Sequence, residues 1–246
     1  MSEKLKLNNE AMVFDIETVS PDFESLDSET KAYLIERIEK DPRNHSNPDP
    51  VETQAKNALV NAWGLNKVIC IGIRRTDKAA GILLQESAEI QEHKACEGYA
   101  VLFGPEKYLL EQFWQRVKAA YLEDLRLVSF FGEGFDLPNL IIRSAMNGVT
   151  PTVFTMSGRY ARKTSFHLDL DNVLSFKGIG KHFSLDYWCR RFEVNSPKDS
   201  MKGSMVGQAY RDGKIDEIGA YCMKDTFATM ELYKKLDATI LPTFFE

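Results

Sequence analysis

Three short stretches of this 246-residue chain carry side chains whose types and spacing suit metal-centred chemistry. In EAMVFDIETVS, the apolar run Ala11-Met12-Val13-Phe14 reads as a short buried strand that runs into Asp15 and Glu17. Residues two apart on a strand point to one face, so the two carboxylates aim together while Ile16 turns back toward the core. Such a pair could hold a hard divalent cation such as Mg²⁺, which takes oxygen ligands. Alone, it also suits a strand ending in a polar turn. The second stretch is SFFGEGFDLPNL, where Asp136 follows a strand and a glycine-containing turn. Asp136 could simply cap the helix that Leu137-Pro138 opens, whereas Gly132 and Gly134 let the chain turn tightly and leave room for something to approach. The third is AYCMKDTFATMELY, which spaces Tyr221 and Asp225 one helical turn apart, over the same patch. Asp225 lies close to the apolar side marked by Ile218, Cys222, Met230 and Tyr233. An inward carboxylate needs a partner, and a cation shared with Asp15 and Glu17 would supply one.

The elements that must position these residues follow from periodicity. Between the opening strand and the next comes a helical insertion at about 20–65. Its first helix is SLDSETKAYLIERIEK, with Ser28 as the expected N-cap, and its second is VETQAKNALVNAW, opened by Pro50. KVICIGIRR and GILLQ read as central strands joined closely enough to be antiparallel. EKYLLEQFWQRVKAAYL reads as a helix, LRLVSFF as a strand, LPNLIIRSAMNG as a helix closed by Gly148, and HLDL as one more strand. The C-terminal third reads as helical, in SLDYWCRRF, GSMVGQAYRDG and a long final helix from about Ile215 to Leu236. Strands interleaved with helices, without repeats or a linker, predict a single α/β domain over 1–246 with a central mixed sheet flanked by helices.

Composition narrows the setting. The apolar and charged fractions, 43% and 27%, are those of an ordinary globular protein. The polar start MSEKLKLNNE and the shortness of every apolar run predict neither a secretory signal nor a membrane span. Cys70, Cys96, Cys189 and Cys222 form no paired motif and read as free thiols in a reducing, cytoplasmic setting. The net charge of −5 is unevenly spread: residues 158–202 hold nine basic and five acidic residues, a local +4, against −9 elsewhere. That asymmetry is compatible with a basic track beside an acidic site, although taken alone it is better explained as a solvated basic face. No phosphate-binding glycine loop followed by Lys and Ser or Thr occurs, which removes an ATPase reading. The four histidines, His45, His93, His167 and His182, lack zinc-ligand spacing.

Taken in order, the three stretches resemble the motifs of the DEDD 3′→5′ exonucleases, and within them the branch related to the proofreading domain of family-B DNA polymerases. The first motif matches Asp15-Ile16-Glu17, the second Phe135-Asp136, and the third Tyr221 through Asp225. Tyr221, where other members carry His, points to the tyrosine subclass. The resemblance spans nearly the whole chain and implies an RNase H-like fold. It also implies two divalent cations, Mg²⁺ or Mn²⁺, held by Asp15, Glu17, Asp136 and Asp225, with Tyr221 orienting the attacking water. The implied substrate is a single-stranded or frayed DNA 3′ end, with a DNA polymerase or repair complex as a possible partner and no membrane. Substrate contacts are expected from Thr18, Phe131 and Phe135, with Tyr160 and Phe183 as further stacking candidates. One position departs from the pattern: the second motif usually carries Asn five residues before its Asp, and here that position is Phe131. The competing readings are an exoribonuclease of the same fold and a non-catalytic nucleic-acid-binding module.

Overall fold

The structure, a computed structural model, describes residues 10–153, 155, 166–195 and 201–244. Tyr160 and the basic residues Arg159, Arg162, Lys163 and Lys198 lie outside the described residues.

In chain order the elements are β1 (Ala11–Val19), α1 (Ser28–Lys40), α2 (Val51–Ala58), β2 (Lys67–Arg75), β3 (Gly81–Glu86), β4 (Gln91–Cys96), β5 (Tyr99–Gly104), α3 (Glu106–Leu122), β6 (Arg126–Ser129) and α4 (Asp136–Met146). There follow β7 (His167–Asp169), α5 (Leu170–Leu174), α6 (Leu185–Arg191), α7 (Gly203–Arg211), α8 (Ile215–Asp237) and α9 (Leu241–Phe244). The seven strands form one mixed sheet in the order β4-β5-β3-β2-β1-β6-β7. β1 pairs antiparallel with β2 and parallel with β6, so the strand bearing Asp15 and Glu17 sits well inside the sheet.

Alternation along β1 divides the core. Met12, Phe14 and Ile16 pack with Leu109, Leu110, Phe113 and Trp114 of α3 and Leu137 and Leu140 of α4. Ala11 and Val13 face the other way, onto Met230, Leu232 and Tyr233 of α8. Further along the sheet, Ile218, Cys222 and Met223 of α8 cover Ile69 and Cys70 of β2. The central strands β1, β2 and β3 therefore contribute to two apolar layers, the arrangement expected of a sheet with helices on both faces.

Three local features differ from the sequence-based expectations. The cap of α1 is Asp27, not Ser28: the Asp27 carboxylate accepts from the Thr30 backbone N–H (2.8 Å) and the Thr30 hydroxyl (2.7 Å) while Ser28 is already helical. The hairpin β4–β5 was not anticipated, because β4 is a polar edge strand whose charged residues follow no apolar alternation. Its turn is Glu97-Gly98, with Gly98 at φ +80°, a backbone conformation that glycine adopts without strain. Finally, β6 ends at Ser129, since Phe131 turns the chain at φ +61°.

Residues 20–66 leave the sheet after β1 and return at β2. Phe23, Leu34, Ala55 and Leu59 form a small core of their own there. Buried Asn66 closes the excursion, accepting from Ser20 Oγ (2.9 Å) and donating to the Val60 carbonyl (2.7 Å). The adjoining end of β2 is held by buried Glu106, which accepts from the Val68 N–H (2.8 Å) and from Arg143 Nε (2.8 Å). All four cysteines are free.

Candidate active site

Strand parity aims Asp15 and Glu17 at the face that α8 covers. Their carboxylate oxygens and that of Asp225 on α8 lie within 4.8 Å of one another. The pairing slips just beyond: Glu17 faces Cys70 but Thr18 faces Val68, which leaves Ile69 as an extra residue in β2. Such a bulge bends and twists the ladder locally, and it falls where the chain turns from carboxylates to the cavity wall.

The helix reaches the strand because a side chain is missing. Gly72 pairs with Asp15, and a Cβ at Gly72 would lie 2.3 Å from Thr226 Oγ1 and 3.3 Å from the Cys222 carbonyl oxygen. One helical turn earlier, Gly219 accommodates Gln85 and Leu83 of β3 in the same way. Gly72→Ala is therefore expected to push α8 outward by a fraction of an ångström to an ångström, at a stability cost of about 1–3 kcal/mol. A misplacement of that size can cost about a hundredfold in catalytic rate. Thermal melts, and assays of the activity that the three motifs lead one to expect, check this on Gly72→Ala and Gly72→Ala/Thr226→Ala, the second change restoring part of both losses. Wild-type rates for Gly72→Ala alone would refute the packing argument.

Asp136 does not cap α4. Phe135 occupies the cap position, and Asp136 Oδ1 instead accepts from the Ile16 N–H of β1 (3.1 Å). The bond ties the second stretch to the first at the residue between Asp15 and Glu17. The two glycines of the preceding turn make room for the chain's own side chains: a Cβ at Gly132 would meet Ser129 Oγ, and one at Gly134 would meet the Phe131 ring. The left-handed residue in this turn is Phe131 itself. Asn tolerates that conformation better than other non-glycine residues, which gives a backbone reason for the amide residue usual at this position.

What holds Phe131 there is Asp169, a residue that sequence reasoning passed over as part of the HLDL strand. Its buried carboxylate accepts from the N–H groups of Phe131 (2.8 Å), Glu133 (2.9 Å) and Asp171 (3.0 Å). Burial pushes Asp169 up to about 6 against the pull of those three donors. An acidic residue ending a strand was the available signal.

Electrostatically, the cluster is under load. Asp15, Glu17 and Asp136 all titrate above the ordinary carboxylate range. For Asp15 the causes are burial, then Asp136, Asp225 and Glu17; for Glu17 they are burial, then Asp225 and Asp136. Asp136 is pushed up to about 8 by burial and then by Asp169, with the Ile16 N–H opposing. Asp15 is half-buried: it lines a cavity, yet its Oδ2 is sealed and has no hydrogen-bond partner. An orphaned carboxylate oxygen beside two further carboxylates fits an all-oxygen cation site. The Tyr221 phenol is pushed strongly upward by burial and then by Asp225 and Glu17, and it hydrogen-bonds Asp225. It therefore stays protonated at any ordinary pH.

The cavity has a volume of about 210 Å³ and is lined by Asp15, Ile16, Glu17, Thr18, Phe130, Phe131, Phe135 and Asp136, with Val60 from the 20–66 segment and Gly203 at the start of α7. Thr18, Phe131 and Phe135 thus share a wall with three of the four expected acidic residues.

A mixed sheet flanked by helices, whose opening strand and strand-to-helix turn bring acidic side chains to one cavity while the C-terminal helix sets Asp225 beside those of the strand, defines an α/β domain of the RNase H-like type. The same fold occurs in the family B DNA polymerase from the hyperthermophilic archaeon Pyrobaculum calidifontis, with a TM-score of 0.57 and 17% identity over 92% of this chain and 24% of that one. This chain therefore spans about a quarter of that polymerase. It belongs to the family described as predicted 3′-5′ exonucleases related to the exonuclease domain of PolB, which matches residues 63–240. Asp136, Tyr221 and Asp225 fall inside the matched span, and Asp15 and Glu17 precede it. No curated protein matches the chain significantly. Among the described residues no helix is long and apolar enough to cross a membrane.

Proposed function

We propose that the chain hydrolyses the terminal phosphodiester bond at the 3′ end of single-stranded or frayed DNA, releasing nucleoside 5′-monophosphates. The observation that carries this reading is the convergence of Asp15, Glu17 and Asp225 within 4.8 Å, with Asp15 Oδ2 buried and unpartnered. Asp15, Glu17, Asp136 and Asp225 would hold two divalent cations, Mg²⁺ or Mn²⁺. Bound cations supply a nucleophile near neutral pH and Lewis-acid stabilisation of the leaving oxygen.

The protein's own part is positioning. The Ile16 N–H fixes Asp136 against β1, and Gly72 sets the depth of Asp225. Tyr221, kept protonated, does not serve as a base: its one O–H donates to Asp225, which leaves the phenol oxygen to accept from and orient the attacking water. Thr18, Phe131 and Phe135 would contact the terminal nucleotide. A cavity of about 210 Å³ walled by Phe131 and Phe135 is too small to admit a duplex end, which favours an unpaired 3′ terminus. Kinship with a proofreading domain makes a DNA polymerase or repair assembly the setting we favour, and free, mostly buried thiols suit the cytoplasm.

The test follows nucleotide release from 5′-labelled single-stranded DNA, duplex DNA, DNA with a mismatched 3′ end, and RNA, each under Mg²⁺, Mn²⁺ or EDTA. Stepwise shortening of single-stranded and mismatched DNA, abolished by EDTA, is expected. Preferential cleavage of RNA would make the chain an exoribonuclease. Absence of cation-dependent cleavage on all four substrates would leave a binding module.

A further inference from the structure

Outside the cavity, residues 176–184 are all exposed and lead into α6, capped by Ser184. There the rings of Phe183 and Tyr187 stack, with centroids 4.5 Å apart and planes 19° from parallel. Trp188 meets both edge-on, at 5.8 Å and 5.1 Å, and itself packs with Phe192 against the core around Tyr233 and Leu236. A fixed aromatic base thus carries an outer pair that remains 40% and 37% exposed. Part of this is local architecture: Phe183 precedes the cap and meets Trp188 across the first turn, as a hydrophobic staple does. A staple does not require Tyr187 to lie against Phe183 at the surface, nor the Arg191 guanidinium to sit 6.0 Å over the Tyr187 ring.

Charge and continuity say what the pair is for. Between 176 and 191 the exposed ionisable residues are basic: Lys177, Lys181, Arg190 and Arg191, besides His182. The acidic residue of that stretch, Asp186, is buried and paired with Arg190. In a chain of net charge −5, this surface is set apart. It is also continuous with the cavity. Phe131 lines the cavity, is 46% exposed, and meets the His182 ring edge-on at 6.2 Å. His182 is held by buried Asp171 and is the neighbour of Phe183. The ring contact of Phe131 with His182 thus brings the cavity wall to the residue that precedes Phe183 in the chain.

We infer that Phe183 and Tyr187, with Arg191 over the Tyr187 ring and Lys177 and Lys181 on the exposed stretch that leads to them, form a stacking platform for the single strand on the 5′ side of the bond to be cut. The inference rests on the nuclease reading and extends it to where the rest of the substrate lies. Every base has a π face, so such a platform is tolerant of sequence and of sugar, while the cations follow the phosphates. A platform removed from the cavity engages only strands long enough to reach it.

The experiment compares oligothymidylates and oligouridylates of about three and about twenty residues, lengths that bracket the roughly 4–16 nucleotides of single-strand binding sites. The variant Phe183→Leu/Tyr187→Ala removes both π faces while Leu keeps the contact with Trp188. For the long strands of each sugar series that the wild type cleaves, KM is expected to rise on the order of tenfold with kcat unchanged, and the short strands to be cut as by wild type. Lys177→Ala/Lys181→Ala should flatten the salt dependence of KM for long strands only. An unchanged KM for long strands in the aromatic variant overturns the platform and leaves the nuclease assignment standing. A wild-type protein that cleaves neither length overturns both.

Discussion

Asp15→Asn is expected to abolish cation-dependent cleavage and, in the same protein, to raise the melting temperature of the metal-free chain. The substitution keeps the shape of the side chain and removes the carboxylate that Asp136, Asp225 and Glu17 all repel. Loss of a central oxygen ligand should cost on the order of a thousandfold or more in rate, since this charge would anchor the cations that do the chemistry. Relief of repulsion among buried carboxylates works in the other direction on folding. A gain of about 1 kcal/mol would appear as about 2–4 °C in a chain of this size. Measured together by nuclease assay and thermal melt near pH 8, opposite signs are the expected signature of a site that trades stability for function. A variant that cleaves at the wild-type rate, or that loses both activity and melting temperature, would remove Asp15 from the role given to it.

The second expectation concerns pH. Asp136 titrates near 8 in the folded chain, against about 4 when unfolded, and Asp15 and Glu17 are displaced in the same direction. Between those limits the folded state holds protons that the unfolded state has lost. Stability of the metal-free protein therefore falls as pH rises from about 4 to about 8, by at most about 1.4 kcal/mol per pH unit for each such group. Divalent cations need the deprotonated ligands, so they should stabilise the chain more at pH 8 than at pH 6. At a hundredfold excess over the dissociation constant the gain is about 2.7 kcal/mol, which corresponds to about 5–10 °C. Melts across this range with and without Mn²⁺ give the answer without any reference to catalysis, and Asp136→Asn should flatten the metal-free slope. A melting temperature that climbs with pH in the absence of metal, or a Mn²⁺ shift independent of pH, would be falsifying.

Much of the frame was legible because it depends on local patterns. The apolar runs of β1, β2 and β3, the close antiparallel link between β2 and β3, and the helical periods of α3 and α8 follow from side-chain spacing. The same spacing logic led to Asp15, Glu17 and Asp225, which the structure brings together. What stayed hidden depends on groups distant in sequence. Strand β4 owes its existence to β5 and not to its own polar residues. The Asp169 carboxylate matters through the backbone of residues 131–133, which no periodicity reveals. Gly132 and Gly134 were visible as turn residues, but the need they meet is for Ser129 and the Phe131 ring. For α1, Asp27 and Ser28 are both good caps, and only the backbone conformation decides between them.

The alternation of β1 has a consequence for descent. Even positions of the strand belong to the layer beneath α3, and odd positions to the layer that ends at the carboxylates. Gaining or losing one residue ahead of Asp15 within the strand would exchange the two sets, driving Asp15 and Glu17 in among Phe113 and Trp114. The strand thus acts as a reading frame: substitutions can accumulate along it, but single insertions and deletions cannot, because they would remove the core and the acidic cluster in one event. Length change in this lineage is therefore expected between the sheet strands, as in the 20–66 excursion that starts only after Glu17 has been placed.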